Sequence, residues 1–346
     1  MLQWRSDPCN FARCWHRLVS PAVLEEELPS TEAASALVDG ARAAIRAILA
    51  GEDHRVLVVV GPCSIHDPAA AREYASRLAP LAQTVSGSLV CVMRVYFEKP
   101  RTVVGWKGLI NDPDLDGSYR INKGLRLARQ VLLDVAAEAL PAATEFLDTT
   151  FGQYYTDLVS WGAIGARTVE SQIHRELASG LSMPVGLKNR TDGDVQVAVD
   201  AIRAASHRHL FPSLTKEGAP AILETRGNPD CHLVLRGGAR PNYDADSVAA
   251  AQRLLESAGL PEVLMVDCSH ANSSKDPAMQ PAVARDVVDQ RRRGNDGIRG
   301  IMLESHLHGG RQDLSDSLNF GQSITDACLG FEETESLLLD LAERMI

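Results

Sequence analysis

Eight polar residues stand at the ends of short apolar, β-branched runs: Cys63, Arg94, Glu145, Arg167, Lys188, Arg236, His270 and Glu304. Four are cations, in a chain whose net charge is −10. Arg offers bidentate contacts to phosphate and carboxylate, and Lys offers a point charge, so they read as anion receptors. Lys99 and Arg101, on the loop after the second run, raise the set to six. Six cations exceed what one phosphate needs. Two anionic substrates, or one carrying both phosphate and carboxylate, would balance them. Cys63, His270 and Glu304 have the ligand types of a divalent metal site with hard and soft donors, and Asp326, in SITDA, is a possible fourth. No compact motif ties these four together. Cys63 could equally be a small buried side chain, Asp326 could cap a nearby helix, and His66, His306 and His308 compete as imidazole donors.

Such residues act together only if the chain brings the ends of the runs to one place. The runs are 56–60, 89–95, 142–147, 163–168, 185–188, one near 231–236, 263–267 and 298–303, alternating with helical segments. Eight parallel strands with helices between them predict an α/β (β/α)₈ TIM barrel, whose active site lies at the carboxyl ends of the strands. An open doubly wound sheet is the other arrangement such a pattern allows. In RVLVVVGPCSIHD (55–67) the apolar run stops at Gly61-Pro62, offers Cys63, and passes to Asp67-Pro68 as helix N-cap and first residue. A preceding helix, capped by Ser30 or Thr31, places Ala34, Leu37, Val38, Ala41, Ile45 and Leu49 on one face and ends at Gly51. Residues 1–54 thus read as an N-terminal extension and 55–346 as the barrel. Around the sixth strand both 209–214 and 231–236 read as strands, with 221–225 between them, which suggests an inserted β-hairpin of about 214–231, and a long Gly/Pro/Asp-rich loop spans 96–122.

The acidic balance argues against nucleic acid or an anionic membrane as partner. Seven scattered cysteines do not make a disulfide framework, and no long apolar span or secretory h-region is evident, so a cytoplasmic setting is expected.

GPCSIHD (61–67), MRVYFEKPRTVVGWKGLINDP (93–113), GAIGARTVESQIHRELASGLSMPVG (162–186), LRGG (235–238), DCSHANSSK (267–275), ESHLHGG (304–310) and SITDACLG (323–330) resemble the type I 3-deoxy-D-arabino-heptulosonate 7-phosphate (DAHP) synthases. The similarity is closest to their amino-acid-regulated branch and runs from about Pro21 to the C-terminus. It implies a metal-dependent condensation of phosphoenolpyruvate with erythrose 4-phosphate, the first step of the shikimate pathway. The implied ligands of a divalent ion (Mn²⁺, Fe²⁺, Co²⁺ or Zn²⁺) are Cys63, His270, Glu304 and Asp326. Phosphoenolpyruvate falls to Arg94, Lys99, Arg167, Lys188 and Arg236 with backbone help near Ala166, and the sugar phosphate to Arg101 and Thr102. Glu145 would neighbour the attacked carbon and its water, and Lys99 is the candidate proton donor. A homodimer or homotetramer and an aromatic amino-acid inhibitor are implied as well. The first fifteen residues, Phe151-Gly152 and Pro212 depart from the family pattern in the regulatory region, while Ser213 leans towards phenylalanine as effector. A sister octulosonate-phosphate synthase is disfavoured by KPRT and the complete ligand set. A silent amino-acid-binding subunit is disfavoured because no catalytic position is lost.

Overall fold

The computed structural model describes residues 16–101 and 103–345. Helices α1 (Pro21–Glu27) and α2 (Glu32–Ala50) precede β1 (Val56–Gly61), α3 (Pro68–Thr84), β2 (Leu89–Arg94), α4 (Ile121–Ala137) and β3 (Ala142–Glu145). The chain continues through β4 (Trp161–Ile164), α5 (Gln172–Gly180), β5 (Val185–Lys188) and α6 (Gln196–Ala205) to an antiparallel hairpin, β6 (Leu210–Leu214) with β7 (Pro220–Glu224). It ends with β8 (Cys231–Leu235), α7 (Ala245–Ser257), β9 (Leu264–Asp267), α8 (Gln280–Arg292), β10 (Ile298–Glu304), β11 (His308–Arg311), β12 (Gln322–Ser323) and α9 (Phe331–Arg344). Eight of these strands close a parallel barrel in the order β1-β10-β9-β8-β5-β4-β3-β2. The chain is therefore a TIM barrel, and the open sheet is excluded. Among the described residues no helix is long and apolar enough to cross a membrane.

Strands covered on both sides must be apolar throughout, and β1 is buried at all six positions. Two cores result. Tyr74, Leu78, Leu125, Val131 and Val283 seal helices to the outer face of the barrel. Leu57, Val59, Val92, Trp161, Val234, Met265 and Met302 fill its lumen, and Ile45 and Ile48 of α2 close the floor. Thr31 caps α2 by accepting the Ala34 N–H at 3.1 Å, and Gly51 ends it at φ 81°. This matches the expected span and face, with Ile48 added.

Two boundaries differ from the sequence reading. The hairpin occupies Leu210–Leu214 and Pro220–Glu224, earlier than the expected 214–231, because Cys231 onward is β8 of the barrel. The fourth strand begins at Trp161, which pairs with Ala143, and ends at Ile164. Gly165 then starts a turn whose carbonyl accepts the Thr168 and Val169 N–H groups. A Cβ at Gly165 would overlap the Glu145 carboxylate, so Arg167 lies on that turn instead of in the strand.

Candidate functional site

At the barrel mouth Arg94, Lys188 and Lys99 each have a partner within the protein. Arg94, 1% exposed, donates to Glu304 Oε1 at 3.0 Å, to Met302 Sδ and to the Pro62 and Cys63 carbonyls, while its guanidinium lies 3.6 Å over the Tyr96 ring. Burial alone would lower its pKa, but Glu304, Cys63 and the Tyr96 oxygen outweigh that and raise it. Lys188 Nζ donates to Asp267 Oδ2 at 2.8 Å, and the same oxygen lies 3.0 Å from His270 Nδ1. Burial works against the Asp267 carboxylate, yet Lys188 and His270 hold it well below the usual range. Asp267 thereby fixes the ring so that Nε2 faces Glu304 Oε1 at 3.8 Å. His270 itself is left-handed, φ 57°, an uncommon backbone conformation for a non-glycine residue that His adopts more readily than most. Gln280 grips the Glu304 backbone at both ends, donating to its carbonyl at 3.0 Å and accepting its N–H at 2.9 Å.

Cys63, Glu304 and Asp326 offer ligand atoms that all lie within 4.8 Å of one another. Donors about 2.0–2.3 Å from one centre stand about 3–4.5 Å apart, so the trio matches the span of a divalent ion. Cys63 Sγ is 3.5 Å from Asp326 Oδ2, and Lys99 Nζ donates to that sulfur at 2.9 Å. Burial, then Glu304, push the thiol up to about 11, which a bound cation would reverse. Burial would lower the Lys99 pKa, but Cys63, Glu304 and Asp326 raise it overall. Partial burial would raise the Asp326 carboxyl, and Lys99 and His270 more than offset it. Asp326 caps no helix, since α9 starts at Phe331.

Across the mouth the cations stand without counter-charges. Arg167 is exposed and Arg236 half-buried, and among the described residues neither guanidinium has a carboxylate partner. Burial lowers the Arg236 pKa; the Asp267 carboxylate, which does not bond to it, pulls it part of the way back, and Arg167 nearby adds to the lowering. Two like charges held together without a counter-ion form a receptor for an anion. Both face a cavity of 510 Å³, as do Arg94, Lys99, Arg101, Lys188, Lys275 and Arg311, against three acids, Glu145, Glu304 and Asp326. The local field is strongly positive in an acidic chain.

The family model described as the DAHP synthetase I family matches residues 29–339. The chain belongs to this family. The Phe-sensitive phospho-2-dehydro-3-deoxyheptonate aldolase of Escherichia coli K12 is 58% identical over 327 residues, covering 94% of this chain and 93% of that protein. The Trp-sensitive enzyme of Enterobacter agglomerans is 55% identical, covering 94% of each. The tyrosine-inhibited enzyme of Schizosaccharomyces pombe is 52% identical, covering 95% and 90%. A solved phospho-2-dehydro-3-deoxyheptonate aldolase from Francisella tularensis superposes with a TM-score of 0.95 at 50% identity, covering 96% of this chain and 98% of that one. The sequence resemblance to the amino-acid-regulated DAHP synthases is thus shown.

Within this DAHP synthetase I barrel, the residues singled out from sequence gather at one mouth. Glu145, Ala166, Arg167, Lys188 and Arg236 line the cavity beside Arg94, Lys99 and Arg101. Thr102 lies outside the described residues. Arg101 Nε is bound to the Trp106 carbonyl at 2.7 Å, leaving the outer guanidinium nitrogens for a ligand. Four donations to protein engage Arg94 and fix it against Glu304 and the Cys63 turn at the cavity wall. Of the rival imidazoles, His306 is held neutral, its pKa driven to about 3 by burial and by His66 and His308, with Nδ1 accepting the Leu307 N–H. Neither it, His66 nor His308 joins the donor cluster, and the expected ligand His270 also stands outside the trio, with Nε2 3.8 Å from Glu304 Oε1. Sequence reasoning missed Asp267 and Gln280, which position ligands from beneath, and Lys275 and Arg311, which add charge to the cavity. DCSHANSSK carried Asp267 and Lys275 in plain view, but only the turn shows what they face.

Proposed function

We propose that this chain condenses phosphoenolpyruvate with D-erythrose 4-phosphate and water, giving DAHP and phosphate, as a metal-dependent aldol-type synthase of the shikimate pathway. The observation that carries the proposal is the division of the mouth. Arg167 and Arg236 stand unpaired on one side of the cavity, and the Cys63, Glu304 and Asp326 donors cluster on the other. The names of the relatives support the same reaction.

Held by Cys63, His270, Glu304 and Asp326, a divalent ion (Mn²⁺, Fe²⁺, Co²⁺ or Zn²⁺) would supply Lewis-acid polarisation of an aldehyde oxygen. Arg167, Arg236 and Lys188 hold the phosphate and carboxylate of phosphoenolpyruvate. Arg101, with Thr102, holds the sugar phosphate, so two polyanions sit within bonding distance despite their repulsion. C3 of phosphoenolpyruvate then bonds to the aldehyde carbon, and Lys99 Nζ donates a proton to the developing alkoxide. Lys99 is suited to this because the anionic groups around it keep it protonated until a negative oxygen forms beside it. Water adds at C2 under the orientation of Glu145, and phosphate leaves by C–O cleavage while the arginines retain it.

Feedback by an aromatic amino acid and a homodimeric or homotetrameric assembly belong to the same proposal, with residues 1–54 as regulatory and subunit contact. In support, α1 packs on the hairpin turn through the Ala22 N–H to Lys216 carbonyl bond of 2.8 Å, and Ile222 on that hairpin is 76% exposed. A cytoplasmic location fits the composition. A steady-state assay with the two substrates tests the reaction, first after chelation and then after adding back Mn²⁺, Co²⁺ or Fe²⁺. Activity that disappears and returns is expected. Full activity in metal-free protein would remove the metal, and no activity with any ion would remove the reaction.

A further inference from the structure

Glu98 is a buried acid that the chemistry above does not use. It is 3% exposed, and among the described residues no cation pairs with it. Its Oε2 accepts the Asp148 N–H at 3.3 Å. Burial, and then the neighbouring Asp148 and Glu145 charges, push its pKa up to about 8, while the Asp148 and Leu147 amides pull it down. A buried acid of this kind is costly to retain unless its place matters.

That place is the base of the strap carrying Lys99 and Arg101. After β2 the chain passes over the cavity and folds back on itself. Lys99 N–H donates to the Lys107 carbonyl at 2.9 Å, Arg101 Nε to the Trp106 carbonyl, and Trp106 Nε1 to the Asp112 carbonyl at 2.8 Å. Gly108, at φ 116°, allows the closure, since a Cβ there would overlap the Phe97 carbonyl oxygen. These bonds shape the strap without fixing it to the barrel. Lys99 Nζ reaches Cys63 Sγ on the β1 turn at 2.9 Å and Phe97 packs on Tyr155, while Glu98 makes the side-chain hydrogen bond to the segment after β3. That segment is anchored in turn, by His174 Nε2 at the Leu147 carbonyl (2.7 Å) and by Lys216 Nζ at the Gln153 carbonyl (2.6 Å).

We propose that Glu98 is a positioning residue for the aldose-phosphate end of the site: its buried carboxyl, fixed on the Asp148 amide, holds the strap so that Lys99 and Arg101 stand over the cavity. The inference rests on the proposed condensation. Phosphoenolpyruvate is held largely by residues at or after the ends of β4, β5 and β8, with Lys99 the one strap residue assigned to it, whereas Arg101 and Thr102 of the strap serve the sugar phosphate, so the two substrates should respond to different extents.

The test is an isosteric pair, Glu98→Gln and Glu98→Met, in the full chain with Mn²⁺. Glutamine keeps an oxygen acceptor for the Asp148 N–H, and methionine has none. For Glu98→Met we expect the KM for erythrose 4-phosphate to rise between about 10- and 100-fold, as expected for a displaced binding group. Calorimetric affinity for phosphoenolpyruvate should stay within about threefold, and Glu98→Gln should restore the sugar-phosphate KM to near the wild-type value. An unchanged KM in Glu98→Met, an equal loss for both substrates, or a Gln variant as impaired as Met would overturn the role. Glu98→Ala replaces Met if Met does not fold, and loss of fold in both would also overturn it, since a strap tie does not hold up a barrel. An inactive wild-type chain would instead count against the condensation itself.

Discussion

The two sides of the barrel mouth carry the same charge and use it in opposite ways. Around β2, β1 and β10, Arg94 is spent on Glu304 and Lys99 on Cys63, and Lys188, although it ends β5 between β4 and β8, is spent on Asp267 of β9; these cations hold ligands in place. On the β4 and β8 side, Arg167 and Arg236 hold nothing in the protein. A paired buried charge stabilises the fold only while its partner remains, whereas an unpaired one is a standing repulsion that a ligand relieves. The difference separates cations already matched within the protein, Lys188 and Lys99 included although both also face the cavity, from cations whose charge is left for a ligand. Variants on the two sides should therefore fail in different assays.

Asp267→Asn should give the largest change in stability. It removes the charge between Lys188 and His270, and breaking such a buried pair costs about 3–5 kcal/mol. Urea unfolding reads this, and a midpoint equal to wild type would erase the distinction between the two sides. Cys63→Ala should leave the barrel folded but lose bound metal on elemental analysis, with turnover falling about 10³-fold, the several kcal/mol that Lewis-acid polarisation supplies. Retained metal would place the ion elsewhere.

The barrel floor provides a control for pH. His232 is buried, accepts from Trp161 Nε1 at 3.2 Å and has its pKa lowered by burial to about 4. The unfolded chain binds this proton near pH 6.5 and the folded chain only near pH 4, so stability is present above 6.5 and is lost as pH falls between them. The loss approaches about 3 kcal/mol at 1.36 kcal/mol per pH unit. His232→Asn should flatten that slope in melts across pH 4–7, and an unaltered slope would move acid sensitivity back to the mouth. The smallest effect is expected for Arg236→Ala, whose KM for phosphoenolpyruvate should rise about 10- to 100-fold, the worth of a charge-assisted hydrogen bond. Its unfolding midpoint should match or exceed that of wild type.

Much of this division was legible from sequence, because strand-end polarity is a local signal. β1 and β5 carry uninterrupted apolar runs, as does β10 from Gly300 to Leu303, and Cys63, Lys188 and Glu304 follow from where those runs stop. Arg167 and His270 were found by type, although each lies on a turn three residues past its strand, Ile164 or Asp267. What stayed hidden was pairing. Nothing in the chain shows that Lys188 is spent on Asp267 while Arg236 is free, since those partners are set by register across β5, β8 and β9. Gln280 was equally invisible, being the first residue of a helix that reaches back to a strand end 24 residues later. The hairpin was misplaced because its alternating strands resemble the barrel strand that follows.

The central claim is that Arg167 and Arg236 are a receptor held open by the fold and not part of what holds the fold. Calorimetric titration of phosphoenolpyruvate into the Arg167→Ala/Arg236→Ala double variant, with a urea melt of the same sample, addresses it directly. Affinity reduced by more than about 100-fold, with the unfolding midpoint at or above wild type, is the expected result. Binding retained, or binding lost together with several kcal/mol of stability, would contradict it.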